Sequence, residues 1–429
     1  MTLPVGEIPS QVACGNNFTV VLMQSGNIYS CGNNFWGQLG NGTNVQSTSL
    51  VQMTLPIGKT PDSIYCGYYF VIVKMQDGTL WGCGDNSSGQ LGNGTFSSIW
   101  NLTQFTAVSG KTPYMVACGG SHTVVLMTDN TLYSCGYNSD GQLGNGTTSI
   151  FNVLSPMTVP TGTPLYIACG ESHTAVIIQN SISLINHIYG CGRNIDGQIG
   201  LSSPTPSLVL LLFDETPLPF GVTPSKVSCG ASYTSVFMND NSIWSCGDNN
   251  HGQFGDTLTT DSGYIFKKMS TIPSGKTPLK TINGFQYTLV LMTDSSIYGC
   301  GSNQYGQLGT ESVVGSTLAL MINDLNKIPI VISEGGDFTI ILAKDSTIYG
   351  CGNNTQGQIG DGTTVSKDIL TKMDFTSLSK TPIGVSTGYA YTVVTMDDST
   401  IYCCGNNLSG QFGNNTTSSS NNTLTPMTI

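Results

Sequence analysis

The chain has 429 residues, 39% of them apolar and only 9% charged, with 53 glycines, which suits a large globular core and excludes a highly charged disordered chain. Its 25 acids against 14 bases leave a formal charge of −11, which excludes a general nucleic-acid binder resting on broad phosphate neutralisation. The polar quota is carried largely by Ser, Thr and Asn, residues that favour turns and strands over long exposed helices.

From the N-terminus, Met1 to Glu7 shows neither a basic region nor an apolar stretch. No secretory signal is read there, and a cytoplasmic or nuclear address is the default, with association in a particle as the alternative. The first recognisable unit follows: the apolar run Thr19 to Met23, the turn Gln24 to Asn27 and the run Ile28 to Ser30 read as a β-hairpin. A further short strand is expected at Leu50 to Leu55, then a loop ending in proline.

This unit recurs to the end of the chain, with copies starting near Cys14, Cys66, Cys118, Cys169, Cys229, Asn283, Glu334 and Thr387. Four short antiparallel strands per copy, without intervening helical segments, are the signature of a propeller blade. The expected fold is therefore an all-β closed propeller occupying 1–429 as one domain. Eight copies favour eight blades, with seven blades and a spare copy as the alternative. Either terminus, Met1 to Pro4 or Pro426 to Ile429, resembles the internal strand Met157 to Pro160 and could complete a ring-closing blade.

After each hairpin comes Gly-x-Asn-x-x-Gly-Gln-x-Gly. Its polar members are Asn34 and Gln38, Asn86 and Gln90, Asn138 and Gln142, Asn194 and Gln198, Asn249 and Gln253, Asn303 and Gln307, Asn354 and Gln358, and Asn407 and Gln411. Side chains repeated identically in every copy read as architecture, satisfying backbone groups at a tight turn. The stretches Cys118-Gly-Gly-Ser-His122-Thr123 and Cys135 to Gly144 closely resemble the regulator-of-chromosome-condensation repeat. That resemblance implies a β-propeller, usually seven-bladed, and, through the founding member, guanine-nucleotide exchange on a Ran-type small GTPase; no exchange residue can be carried onto this chain. The family's His survives at His122 and His173 and is replaced by Phe18, Phe70, Tyr233, Tyr287, Phe338 and Tyr391, which points to a packing position.

Chemistry is sparse. Losses among the 14 cysteines are unpaired, since copies six to eight lack the first cysteine and keep the second, so buried free thiols are expected rather than a disulfide in every copy. No Cys-x-x-Cys, nucleophile elbow, phosphate-binding loop or His-Glu-x-x-His is present; no catalytic or metal site and no cofactor are expected. The run Leu208 to Phe213 is far shorter than the roughly 18 apolar residues of a membrane span, so no membrane is expected either.

Two features stand out as candidate partner sites. Lys59, Lys111, Lys276, Lys327 and Lys380 each precede the proline that opens a copy, forming a sparse basic ring suited to an anionic partner surface or serving only to solubilise a loop. Copy four has a lengthened hairpin, Gln179 to His187, containing Leu184, Ile185 and His187, and an apolar connection from Ser207 to Phe213 that reads as a partner site or an internal strand. Three functions fit: a non-enzymatic protein-interaction scaffold, favoured; an exchange factor for a small GTPase; and a structural component that packs against copies of itself.

Overall fold

The computed structural model describes residues 7–258, 263–310, 315–321, 327–375 and 378–428. Eight four-stranded antiparallel sheets follow one another along the chain, each built from consecutive strands. The ring thus has eight blades, and the seven-bladed alternative is corrected. Blade one comprises Pro9–Cys14, Phe18–Met23, Ile28–Gly32 and Ser47–Gln52. The outer strand starts three residues before the expected Leu50, because pairing resumes at Gly32 with Ser47 across a bulge.

The first strand of each blade contacts the first strands of its neighbours, which places it innermost, around the axis. Second and third strands are almost wholly buried, whereas the fourth alternates and forms the rim. The direction of travel sorts the loops. Turns after the first strand and the long Asn/Gln loops lie on one face; hairpin turns and the lysine-bearing connections lie on the other.

Each hydrophobic core sits between two blades rather than within one. Phe18, Val20 and Ile28 of blade one pack on Ile64, Val71 and Met75 of blade two, and the last cluster joins Val21 and Cys31 to Tyr391, Cys403 and Phe412. Because a blade buries both faces only between neighbours, closure is required for stability. The C-terminal strand Thr425–Pro426 completes blade eight by pairing with Tyr402 and Cys403; Met1 to Pro4, the other terminus considered for that role, lies outside the described residues. Closure is sealed by Tyr391 Oη donating to the Phe18 carbonyl at 2.5 Å and Thr19 Oγ1 donating to the Gln411 carbonyl at 2.9 Å.

Candidate functional site

The repeated polar residues hold turns and seams. Asn34, Asn86, Asn138, Asn194, Asn249, Asn303, Asn354 and Asn407 each accept, through Oδ1, the amide five residues ahead. Gln38, Gln90, Gln142, Gln198, Gln253, Gln307, Gln358 and Gln411 each accept, through Oε1, the amide two residues back. The main-chain carbonyl of the same glutamine receives the next blade: Thr123 Oγ1 at 2.8 Å and Cys135 Sγ at 3.5 Å meet Gln90. All 14 cysteines are free. The eight that precede the turn loops are buried, each directing its thiol at that carbonyl.

The position shared by His and other aromatics bridges blades as well. Tyr233 Oη donates to the Tyr287 carbonyl at 2.6 Å, and Tyr287 Oη to the Phe338 carbonyl at 2.8 Å. His122 and His173 reach instead to the Thr174 and Thr234 hydroxyls, at 3.1 and 3.0 Å. Burial drives these imidazoles down to about 4 and about 3, so both are neutral at physiological pH.

The five lysines share one face, each paired with the aspartate of the hairpin turn in its own blade: Lys59 with Asp77, Lys111 with Asp129, Lys276 with Asp294, Lys327 with Asp345, and Lys380 with Asp398 at 2.9 Å. Hydrogen bonding from the lysine, aided by the turn threonine, holds the Asp77 and Asp129 carboxyls down to about 2. The ring is thus one of ion pairs tying the incoming loop to the hairpin. Blade one keeps the tie with other chemistry, since Glu7 accepts from Ser25 Oγ and Asn27 Nδ2, both at 2.5 Å.

Blade four departs from the pattern. Its second and third strands extend to a Gln179–Asn186 pair, and the tip beyond is organised by Asn180, whose Oδ1 accepts from Ile182 and Ser183. The tip exposes Ile182 at 91%, Leu184 at 67% and Ile185 at 43%, and Leu184 stands at φ 57°. His187 Nδ1 lies 2.7 Å from Glu215 Oε2, while Glu215 Oε1 accepts the Ile188 amide at 3.0 Å. Asn186 Nδ2 donates to the Pro224 carbonyl, so the base of the hairpin is joined to both ends of the connection, which carries the fully exposed Phe220 between them. The run Ser207–Leu212 is the outermost strand of the blade. It buries Leu210 and leaves Leu208, Leu211 and Leu212 exposed, so the run forms a strand of the repeat, the second of the two readings, with part of its apolar surface facing solvent.

A second site lies on the opposite face, where the eight first turns surround a cavity of about 310 Å³ at the axial mouth. Blades one to five line it with Cys14, Cys66, Cys118, Cys169 and Cys229, whereas blades six to eight place Asn283, Glu334 and Thr387 there. Burial raises the thiols, Cys118 and Cys229 to about 12, so they are protonated. Phe285 and Tyr389 stand two residues beyond Asn283 and Thr387 on the same mouth. Sequence reasoning missed these residues. The signal was the exchange of three cysteines in aligned copies, which had served only as an argument about disulfides. Among the described residues no three His, Cys, Asp or Glu side chains converge closely enough to hold a metal.

The family described as the RCC1-like domain matches residues 102–429, and RCC1 repeats match 25–73 and 77–126. The chain is 27% identical over 363 residues to the ultraviolet-B receptor UVR8 of Arabidopsis thaliana, covering 83% of this chain and 80% of the receptor. It is 26% identical over 357 residues to the human E3 ubiquitin-protein ligase HERC2, covering 81% of this chain but only 7% of the ligase. The structure of Prp20p from Saccharomyces cerevisiae, described with its binding to Gsp1p and histones, superposes with a TM-score of 0.67 at 15% identity, covering 92% of this chain and 94% of Prp20p.

Proposed function

The chain belongs to the RCC1-like propeller family, and from that premise we propose that it is a non-enzymatic scaffold presenting loops of a rigid ring to a protein partner. One observation carries this reading. The Asn and Gln side-chain oxygens common to all blades are engaged in turns, which leaves recognition to the departures, among them the blade-four corner with its exposed Ile182, Leu184 and Phe220. Apolar side chains rimmed by polar ones on a fixed frame are what a protein partner buries. His187 serves that corner by fixing the loop through Glu215. Quantitative capture of binding proteins by the full chain, compared with an Ile182→Asp/Leu184→Asp variant that retains its melting temperature, tests the reading. An unchanged set of captured proteins removes the corner.

The lysine ring enters as a weaker element of the same proposal, because each cation already holds an aspartate that an anionic partner must displace. Charge reversal of Lys59, Lys111 and Lys380 tests it, and unchanged capture dismisses it. Exposed Leu211 and Leu212 on the rim of blade four favour a second reading, self-association through these side chains beyond the stretch at Leu208 and Val209 that the blade-three loop already pairs. Light scattering over a concentration series decides this, since a strictly monomeric mass throughout counts against it. Exchange on a Ran-type GTPase rests on likeness of fold alone, and nucleotide release unaccelerated across a panel of small GTPases eliminates it.

A further inference from the structure

We infer that the axial mouth, on its blade-six-to-eight arc, is a binding site for the basic side chain of a partner protein, with Glu334 as counter-ion and Phe285 and Tyr389 as flanking rings. The inference deepens the scaffold reading by adding a second recognition element, on the face opposite the blade-four corner.

The site is a wide, open mouth of about 310 Å³ lined by all eight blades, with no lysine or arginine among the lining residues. Within it, the exchange of Cys for Asn283, Glu334 and Thr387 puts three acceptor-bearing residues on consecutive blades, while Asn16 and Glu171 line the mouth from blades one and four. Asn283 is nine-tenths buried; its Nδ2 donates to the Ser228 carbonyl, which ties this arc to blade five, while its Oδ1 is closed to solvent and without a hydrogen-bond partner among the described residues. Glu334 sits one blade on. Thr387 Oγ1 bonds to its main-chain carbonyl at 2.7 Å, and no ion pair is made by its carboxylate among the described residues. The rim supplies π faces: Gly336 lacks a side chain where Tyr389 comes close, a Cβ there falling 2.9 Å from Cε2 of the ring. An unpaired carboxylate, two aromatic rings and a further acid, Glu171, on a mouth whose lining holds no lysine or arginine form a receptor for a guanidinium or ammonium group.

Titration adds a signature. Burial raises the Glu334 carboxyl to about 7, opposed by a hydrogen bond from its own amide and by the nearby Lys280 ammonium. The other groups that feel its charge are the Tyr233 and Tyr287 phenols, whose burial holds them far above neutrality. Between pH 6 and 8 only Glu334 changes charge within this group, so binding of a permanent cation tightens about tenfold across that window.

The test uses the full chain and a fluorescent peptide, acetyl-Gly-Ser-Arg-Ser-Gly-amide, with a citrulline twin of the same shape and no charge. Anisotropy titration is expected to show at least tenfold preference for arginine, tightening from pH 6 to 8. Glu334→Gln, near-isosteric and relieved of a buried charge, should fold with an unchanged or higher melting temperature and lose both the preference and the pH dependence. Phe285→Ala/Tyr389→Ala should weaken arginine binding several-fold at every pH. Equal affinity for the two peptides, no binding of either, or an arginine preference that survives Glu334→Gln overturns the assignment. Such a failure is separable from failure of the scaffold reading, because capture through the blade-four corner is measured on the other face with peptide absent.

Discussion

Blades three and four are neighbours in the ring and share nearly every framework contact, yet their hairpins follow different rules. In blade three the tip is short, the positive φ of 64° falls on Asn130, and Lys111 ties the incoming loop to Asp129. In blade four the lysine position is taken by Gly162, where a Cβ would lie 2.5 Å from the Gln179 carbonyl oxygen. The tip there is longer, the positive φ falls on Leu184, and His187 at the base pairs with Glu215 of the outgoing connection rather than with the incoming loop. Asn tolerates left-handed backbone cheaply and an aliphatic residue does not. Blade three thus takes the stable solution, and blade four carries strain where its apolar side chains meet solvent, at the corner proposed for partner binding.

If the two blades differ only beyond their hairpins, an insult to the common frame must harm both alike. Gly136 and Gly192 have φ of +112° and +102°, and a Cβ at either would lie 2.6 Å from a backbone oxygen of its own sheet. Gly136→Ala and Gly192→Ala should each cost about 3 kcal/mol or more, seen as matching drops in the urea midpoint. A much smaller loss for Gly192→Ala would show that blade four is relaxed to its core and break the comparison.

His122 and His173 belong to the shared frame, and they separate blades three and four from the Tyr-bearing blades. Their folded values of about 4 and about 3 lie below the unfolded value near 6.5, so the unfolded chain takes up protons first as pH falls. The stability of the neutral form is therefore complete above pH 6.5 and declines below it, by about 2 kcal/mol per histidine at pH 5. Glu334, raised to about 7, contributes the opposite slope between pH 4.5 and 7, so the measurement belongs in a Glu334→Gln background. His122→Tyr/His173→Tyr, which installs the residue of blades five, six and eight, should flatten the acid limb of urea midpoints taken from pH 7 to 5. A limb unchanged by the double substitution refutes the neutral-histidine account.

The hairpin difference itself is sharpened by Leu184→Gly. Removing Cβ at φ 57° relieves backbone strain, and the side chain given up is two-thirds exposed, so a gain of about 1 kcal/mol is expected. Binding to any partner at the corner should fall in the same variant. A lower melting temperature would mean that Leu184 is a packing residue and that blade four is strained for no purpose.

Repetition explains what could be read from the chain. Each copy constrains the others, so blade number, strand order and the turn-holding roles of Asn138 and Gln142 followed from alignment and turn chemistry. The lysines were visible as an aligned set, but their partners are not: Asp129 lies 18 residues from Lys111, and only folding of the loop against the hairpin brings them together. The mouth was hidden for a similar reason. Asn283, Glu334 and Thr387 are about 50 residues apart in sequence, and nothing local says that they share one arc around an axis. Leu184 was named for its apolarity, while its strained backbone depends on where the Asn180 cap turns the chain.

The smallest effect concerns the tie itself. Lys111 and Asp129 are solvent-facing, and such pairs contribute little to global stability and weaken with salt. Lys111→Met leaves the Asp129 turn contact to Thr131 intact at 2.6 Å and removes only the link to the incoming loop. Its melting curve should nearly overlay that of the parent, and any residual difference should vanish in molar salt. The acid dependence has a definite sign: with the Asp129 carboxyl held at about 2, the tie is whole above the ordinary carboxylate range near pH 4 and fails as pH falls toward 2. Local opening is the better readout, because a tie between two loops governs their fraying more than the unfolding of the ring. Amide exchange over residues 128–131 should accelerate in Lys111→Met toward the rate of residues 180–185 in blade four, while exchange in the blade-three strands stays fixed. Unaltered exchange at the tip would show that Asp129 holds the hairpin alone, and the contrast between the two blades would then rest on turn length and backbone strain.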